Sequence, residues 1–244
     1  MTNTVNGTAV QQPTIKKKSR AGEIWRRFRK NKLAVFGMIL FALILLVAIF
    51  ADAIVNYSVA TTQVAADRLL SPNAEHWFGT DNYGRDLFAR IVHGSRNSLL
   101  VGFGSVAIGV VLGGLLGAVC GYVGGRFDAI MMRVLDSIMC IPSMMMALAI
   151  VAALGSSLVN VLLAMTISNV PWYCRIIRSS VLGVTGQTYI EAARSCGTSD
   201  FQIIMTHVLP NAMGPIIVQA TMGIGGAIIS AAGISFVGMG IQPP

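Results

Sequence analysis

The residues best placed to do work lie in one polar stretch, Tyr189–Pro210, with the sequence YIEAARSCGTSDFQIIMTHVLP. Thr188 stands three residues before Glu191, and Ser199 three before Gln202. Thr-x-x-Glu and Ser-x-x-Gln are capping boxes, so each predicts a helix start. Gly197 suits the end of the first helix, because it accepts the left-handed backbone without a Cβ clash. Pro210 is expected to stop the second helix, since the residue before a proline disfavours helical geometry. Ile190, Ala193 and Gly197 then share one face, and Phe201, Ile204 and Val208 another. A helix, a sharp break and a helix make a rigid element to be gripped, not a reaction centre. Glu191 has two compatible readings: it caps its own helix, or it touches a partner.

Chemistry of other kinds has no support. A phosphate-binding loop needs Gly-x-x-x-x-Gly-Lys, and no lysine follows Lys32. No HExxH, no GxSxG and no paired carboxylates occur, and His76, His93 and His207 stand far apart. Cys120, Cys140, Cys174 and Cys196 are isolated and read as small apolar residues. No catalytic residue, no metal site and no cofactor held by this chain is expected. If ATP drives the protein, another chain supplies the ATP chemistry.

The elements that must position the polar stretch are membrane spans. Apolar residues make up 54% of the chain and charged ones only 11%, with a mean hydropathy of +0.69. That is far from the roughly 25% charged residues of soluble domains. The net charge of +8 belongs to one arm. Residues 1–32 hold nine bases (Lys16, Lys17, Lys18, Arg20, Arg26, Arg27, Arg29, Lys30, Lys32) and one acid, Glu23; the rest holds nine arginines and nine acids. A nucleic-acid-binding surface is therefore not indicated. A basic arm before an apolar span places the N-terminus in the cytoplasm and can touch anionic lipid. Residues 1–15 read as disordered. Ile24, Trp25 and Phe28 among the bases suggest an amphipathic helix on the membrane surface.

The expected organisation is a basic arm at 1–32, a first span at 33–55, an external loop at 56–97 and a core at 98–244 with the polar loop at 188–210. Leu33–Val55 is too long for the apolar core of a signal peptide. Further spans are expected over Leu99–Val123, Ala129–Leu154, Leu158–Ile177 and Ile216–Met239, giving an all-α polytopic bundle of five spans. Gly109, Gly113, Gly117, Gly121 and Gly125 recur every fourth residue. Such a stripe lets a second helix approach backbone to backbone, or lines a pore with small residues. Arg133 and Asp136 are spaced to pair on one helix face, as a helix-start anchor or as part of a pathway. Pro142 should kink its span. Arg175 and Arg178 should lie just past the cytoplasmic end of theirs. The odd span count implies an external C-terminus or a further segment.

Two stretches carry a family resemblance. Glu191-Ala192-Ala193, then three residues, Gly197, and a later Leu209-Pro210 resemble the EAA loop of bacterial ABC importer permeases. Residues 77–102, WFGTDNYGRDLFARIVHGSRNSLLVG, are similar to the GTDxxGRDxxxRxxxGxRxSL segment of the C-type permeases of dipeptide, oligopeptide and nickel importers. The ending SFVGMGIQPP resembles the same branch, whose members normally continue into a sixth span. The resemblance implies the ABC type I importer permease fold in the bacterial inner membrane. It implies coupling residues Glu191, Ala192, Ala193, Gly197, Leu209 and Pro210, docked on one or two cytoplasmic ATPase subunits that carry ATP and Mg. It also implies a second, homologous permease and an extracytoplasmic solute-binding protein. In the external loop the motif residues are Gly79, Thr80, Asp81, Gly84, Arg85 and Asp86; Asp81, Arg85 and Asp86 either brace the loop or touch that binding protein. Peptide, glutathione, nickel-chelate and opine importers share these motifs. A stand-alone secondary transporter or channel subunit is the alternative, but neither inverted repeats nor midplane charges are evident.

Overall fold

The computed structural model describes residues 20–240. The 1–15 tail, Lys16–Lys18 and the closing Gln242-Pro243-Pro244 lie outside the described residues. The chain divides into two compact units, residues 1–47 and 48–244.

In the first unit, α1 (Arg20–Lys30) carries basic residues in its last turn, where they complement the partial negative charge of a helix C-terminus. Trp25 and Phe28 stack at 5.8 Å with ring planes 14° apart. α2 (Lys32–Ile49) is apolar all round and free of charge after Lys32. Its 18 residues reach about 27 Å, near the thickness of a bilayer's hydrocarbon. The first span thus ends at Ile49. The chain breaks at Phe50 before the short α3 (Ala51–Ile54).

The second unit continues with α4 (Tyr57–Thr61) and a folded loop, and then α5 (Leu87–Val123). α5 starts twelve residues earlier than hydropathy suggested, so residues 87–97 are its opening turns and not loop. The charges of those turns hid the helix: Arg96 bonds Ala48 O at 2.6 Å and Asp52 at 2.7 Å, and Asp86 caps the helix from outside. α6 (Gly125–Met139) and α7 (Ser143–Leu154) form an apolar pair bent by 78° at the break that holds Pro142, a broken span or a re-entrant loop. α8 (Leu158–Thr185) runs through Pro171 and extends past Ile177, so Arg175 and Arg178 lie inside it rather than beyond it. α9 (Thr188–Ser195), α10 (Asp200–Ile203), a π turn (Ile204–Val208) and α11 (Leu209–Phe236) complete the described chain.

Among the described residues, three helices are long and apolar enough to cross a membrane, and the bent pair α6–α7 counts as a fourth only if both halves belong to one span. α8 is 28 residues long, enough to span, but Asn160, Ser168 and Asn169 make it more polar. The apolar surface points outward as well as inward: Met222, Ile229 and Phe236 of α11 are 69%, 74% and 93% exposed. That suits a protein whose surroundings are apolar.

α5 and α8 form the central pair, and α11 packs on both. The reason is the glycine stripe. Gly109, Gly113, Gly117 and Gly121 are buried. A Cβ on Gly113 would stand 2.8 Å from Val170 O, and one on Gly121 2.9 Å from Arg178 O. Only glycine permits helices to lie this close. The stripe ends at Gly121, because Gly124 (φ +64°) and Gly125 (φ +62°) leave the helix to begin α6.

Candidate functional site

The polar stretch is fastened to the bundle from beneath. Ile190 of α9, Ile203 of α10 and Val208 of the π turn are fully buried in the core that includes Ile177 and Val181 of α8. Phe201 is 75% exposed, so the buried face is not the one that helical spacing picks. The π turn explains the shift: it widens the helix between Ile203 and Val208, so residues five apart share a face.

The break between α9 and α10 is a Schellman motif. Gly197 has φ +78°; its N–H donates to Arg194 O at 3.0 Å, and Thr198 N–H to Ala193 O at 3.2 Å. Ser199 caps α10, its Oγ accepting from Gln202 N–H at 3.4 Å. The first capping box does not form. Gln187, not Thr188, is the N-cap of α9, with no side-chain bond, and Glu191 is exposed. The capping reading of Glu191 therefore fails, and its carboxylate faces outward beside exposed Ala192, with Tyr189 44% exposed. Pro210 does not end the second helix, which runs from Asp200 to Phe236 as one rod. The π turn lies just ahead of Pro210, where a strict α-helix would need the missing donor. Asn211 also donates its side-chain amide to His207 O at 2.6 Å. Leu209 is half-buried against the core, whereas Pro210 is exposed.

Tyr122, in the last turn of α5, ties both short helices to the central pair. Its hydroxyl donates to Asp200 Oδ1 at 2.5 Å, and the Arg194 guanidinium lies 5.3 Å from the ring centre. Sequence reasoning missed this cluster, since Tyr122 and Asp200 are 78 residues apart. Two further cross-helix ion pairs brace the same end. Asp128 of α6 accepts both arms of Arg178 of α8 at 2.5 Å, a fork geometry that fixes angle as well as distance. Asp136 pairs with Arg175 of α8. The expected Arg133–Asp136 pair does not form: a carboxylate facing a neighbouring helix finds the partner across the seam, not the one a turn away.

The loop before α5 is a second built site. Asp81 pairs with Arg85 at 2.8 Å and with Arg90, and it accepts the N–H groups of Tyr83 and Arg85 at 2.8 and 3.0 Å. Asp86 caps α5 through Ala89 N–H at 2.7 Å and meets His76 Nδ1 at 2.8 Å. Thr80 is hydrogen-bonded to Asp67 O and Leu70 N. Gly79 (φ +74°) and Gly84 (φ +75°) make the turns, and a Cβ on Gly84 would stand 1.9 Å from Val64 O. Through these bonds Asp81, Arg85 and Asp86 hold the loop together.

Asp81 also gives the loop a pH dependence. Burial pushes its pKa up, but the Arg85 and Tyr83 amides and the Arg85 guanidinium overcome this and hold it below the usual range. A depressed carboxylate adds stability above its unfolded pKa and loses it as pH falls through the folded one. The loop should therefore be fully held above about pH 4 and open at lower pH. Amide hydrogen exchange of residues 79–90 should quicken on acidification, and Asp81→Asn should make it fast at neutral pH as well.

A bundle of apolar helices that carries a polar, partly exposed lever on its core has the build of a transport component. The comparisons agree. Residues 109–244 match the family model of the binding-protein-dependent transport system inner membrane component, and residues 19–72 the N-terminal TM domain of oligopeptide transport permease C. The chain is 46% identical over 222 residues to the dipeptide transport system permease protein of Alkalihalophilus pseudofirmus, covering 91% of this chain and 73% of that one. It is 42% identical over 221 residues to a probable D,D-dipeptide transport system permease protein of Escherichia coli, covering 91% and 74%. A glutathione transport system permease protein of Escherichia coli O157:H7 is 43% identical over 223 residues, covering 91% and 73%. The chain belongs to the family of binding-protein-dependent transport system inner membrane components and is a permease subunit.

Proposed function

We propose that this permease carries peptides or a similar small solute inward, driven by ATP hydrolysed on other chains. The observation that carries the reading is the lever at 188–208. It is buried beneath by Ile190, Ile203 and Val208, and it exposes Tyr189, Glu191, Ala192 and Phe201 above. A rigid element with an apolar and acidic outer face is suited to sit in a cleft of an ATPase subunit. Small Ala192 and Ala193 permit close approach, Gly197 fixes the angle between the two short helices, and Leu209 and Pro210 lead the motion into α11. One or two such ATPases would bind ATP and Mg, and a second permease would complete the path. A solute-binding protein would deliver cargo outside, where the 56–97 loop would stand with its Gly79–Asp86 motif; the basic 1–32 arm and the lever would be cytoplasmic. The relatives named for dipeptides and glutathione support the cargo class. The test is uptake of the dipeptide alanyl-alanine by proteoliposomes holding both permeases and the ATPases. Accumulation should require ATP and the binding protein, and Gly197→Trp should abolish it. Accumulation that continues without any ATPase subunit would overturn the reading.

A further inference from the structure

The break at Pro142 and the middle of α8 border a cavity of about 320 Å3. Its walls include Ser143 and Met146 of α7 and Ser168, Asn169 and Trp172 of α8. A smaller space beyond Ser143, Ser168 and Asn169 reaches Ser230 of α11. None of the lining residues is charged.

The place and the chemistry of this cavity are unusual. Asn169 lies eleven residues into the 28-residue α8, about 16 Å along a helix of about 42 Å, so it sits in the middle stretch of that helix. Backbone that leaves the helix within a membrane protein's apolar bundle is tolerated only where protein covers it or water fills the space beside it. Here α7 begins on Pro142 with no side-chain cap for its first amides. Asn169 donates its amide to Met165 O at 2.9 Å, and its carbonyl oxygen remains an acceptor. Ser168 donates to Ala164 O at 2.8 Å and can still accept. Polar groups inside a membrane span are costly and mark pathways. One turn beyond Met139 and Trp172, the Asp136–Arg175 pair closes α6 onto α8 and cancels the nearest charges.

We infer that this cavity is a transit site for the transported solute, reading uncharged hydrogen-bonding groups of the peptide-amide kind. It rests on the importer reading above. The α7 amides offer donors, Asn169 and Ser168 offer acceptors, and neither sign of charge is favoured. Met139 and Met146 are flexible and accommodate side chains of different shape. The volume is that of a small-molecule site, and the lack of a fixed charge keeps binding weak enough for release.

The test uses the assembled importer with Cys120, Cys140, Cys174 and Cys196 replaced by alanine. Asn169→Cys and Met146→Cys are compared with Ile229→Cys, which is outward-facing on α11 and 74% exposed. A charged methanethiosulfonate, which needs a hydrated thiolate, should modify the first two about tenfold faster, and alanyl-alanine should slow that reaction several-fold. Met146→Trp, which fills the space, should cut uptake about tenfold while binding-protein-stimulated ATP hydrolysis continues. If Asn169→Cys stays unreactive both at rest and with the ATPases arrested by vanadate, the cavity is dry and the proposal fails. Equal uptake by Met146→Trp and the unmodified importer would also sink it. Labelling at rest needs no ATP, so its failure is separate from failure of the importer reading, which shows as absent ATP-driven uptake in the unmodified protein.

Discussion

Gly117→Ala is expected to lower the stability of the bundle by about 3 kcal/mol, near the upper end for overpacked cores. The added Cβ would stand 2.4 Å from Cys174 O and 3.0 Å from Arg178 N. Both neighbours are backbone, so no rotamer change relieves the contact; α8 itself must move away from α5. Helix propensity alone would favour alanine over glycine by about 1 kcal/mol, so the loss isolates the packing. Gly94→Ala, in the same helix with nothing within 4 Å, should be neutral or slightly stabilising. Thermal denaturation of the detergent-solubilised protein, followed by size-exclusion chromatography, reads both. Equal melting of Gly117→Ala and wild type would mean that α5 and α8 do not pack through the stripe. The consequence reaches the lever, because its buried Ile190, Ile203 and Val208 rest on the same core as Ile177 and Val181 of α8.

Tyr122→Phe is expected to weaken coupling without unfolding the protein. The substitution keeps the ring beside Arg194 and removes only the hydroxyl that holds Asp200. A hydrogen bond of this kind contributes about 1 kcal/mol net, or roughly fivefold in an equilibrium. ATP-driven uptake should fall by about that factor while ATP hydrolysis persists, because α9 and α10 can then move without drawing α5 with them. Tyr122→Ala also removes the ring and should fall further. Asp200→Asn should resemble Tyr122→Phe, and the double variant should be no worse than either single one, as expected for two groups in one bond. If uptake and hydrolysis fall together in Tyr122→Phe, the tyrosine serves folding rather than transmission.

Much of this arrangement is legible in the sequence wherever the cause is local. The four-residue recurrence of Gly109–Gly121 needs only helical geometry, and Gly197 needs only a glycine between two short helices. Pro142 likewise marks the bend between α6 and α7. What escapes is non-local or depends on a competing term. Asp136 has a neighbour of opposite charge at Arg133, yet it pairs across the seam with Arg175 because the packing of α6 on α8 brings them together. Asp128–Arg178 and Tyr122–Asp200 span 50 and 78 residues and follow from the same packing. Pro210 should end a helix by local rules; a π turn ahead of it lets the helix continue. The first turns of α5 carry charges that hydropathy assigns to a loop, although Asp86 caps them as helix. Thr188 and Glu191 satisfy the spacing of a capping box, but Gln187 is the N-cap, Thr188 is already the first helical residue and the acid stays outside.

That displaced acid bears on the central claim, that the outer face of the 188–201 lever is held by an ATPase subunit. The direct measurement is site-specific crosslinking in the assembled importer, with single cysteines at Ala192 and Phe201 on the exposed face and at Ile190 on the buried one. The account predicts that Ala192→Cys and Phe201→Cys crosslink to the ATPase subunit, that the yield changes when ATP binds, and that Ile190→Cys does not crosslink. An ATPase that co-purifies with the permease yet crosslinks at none of the exposed lever positions, in any nucleotide state, would contradict it.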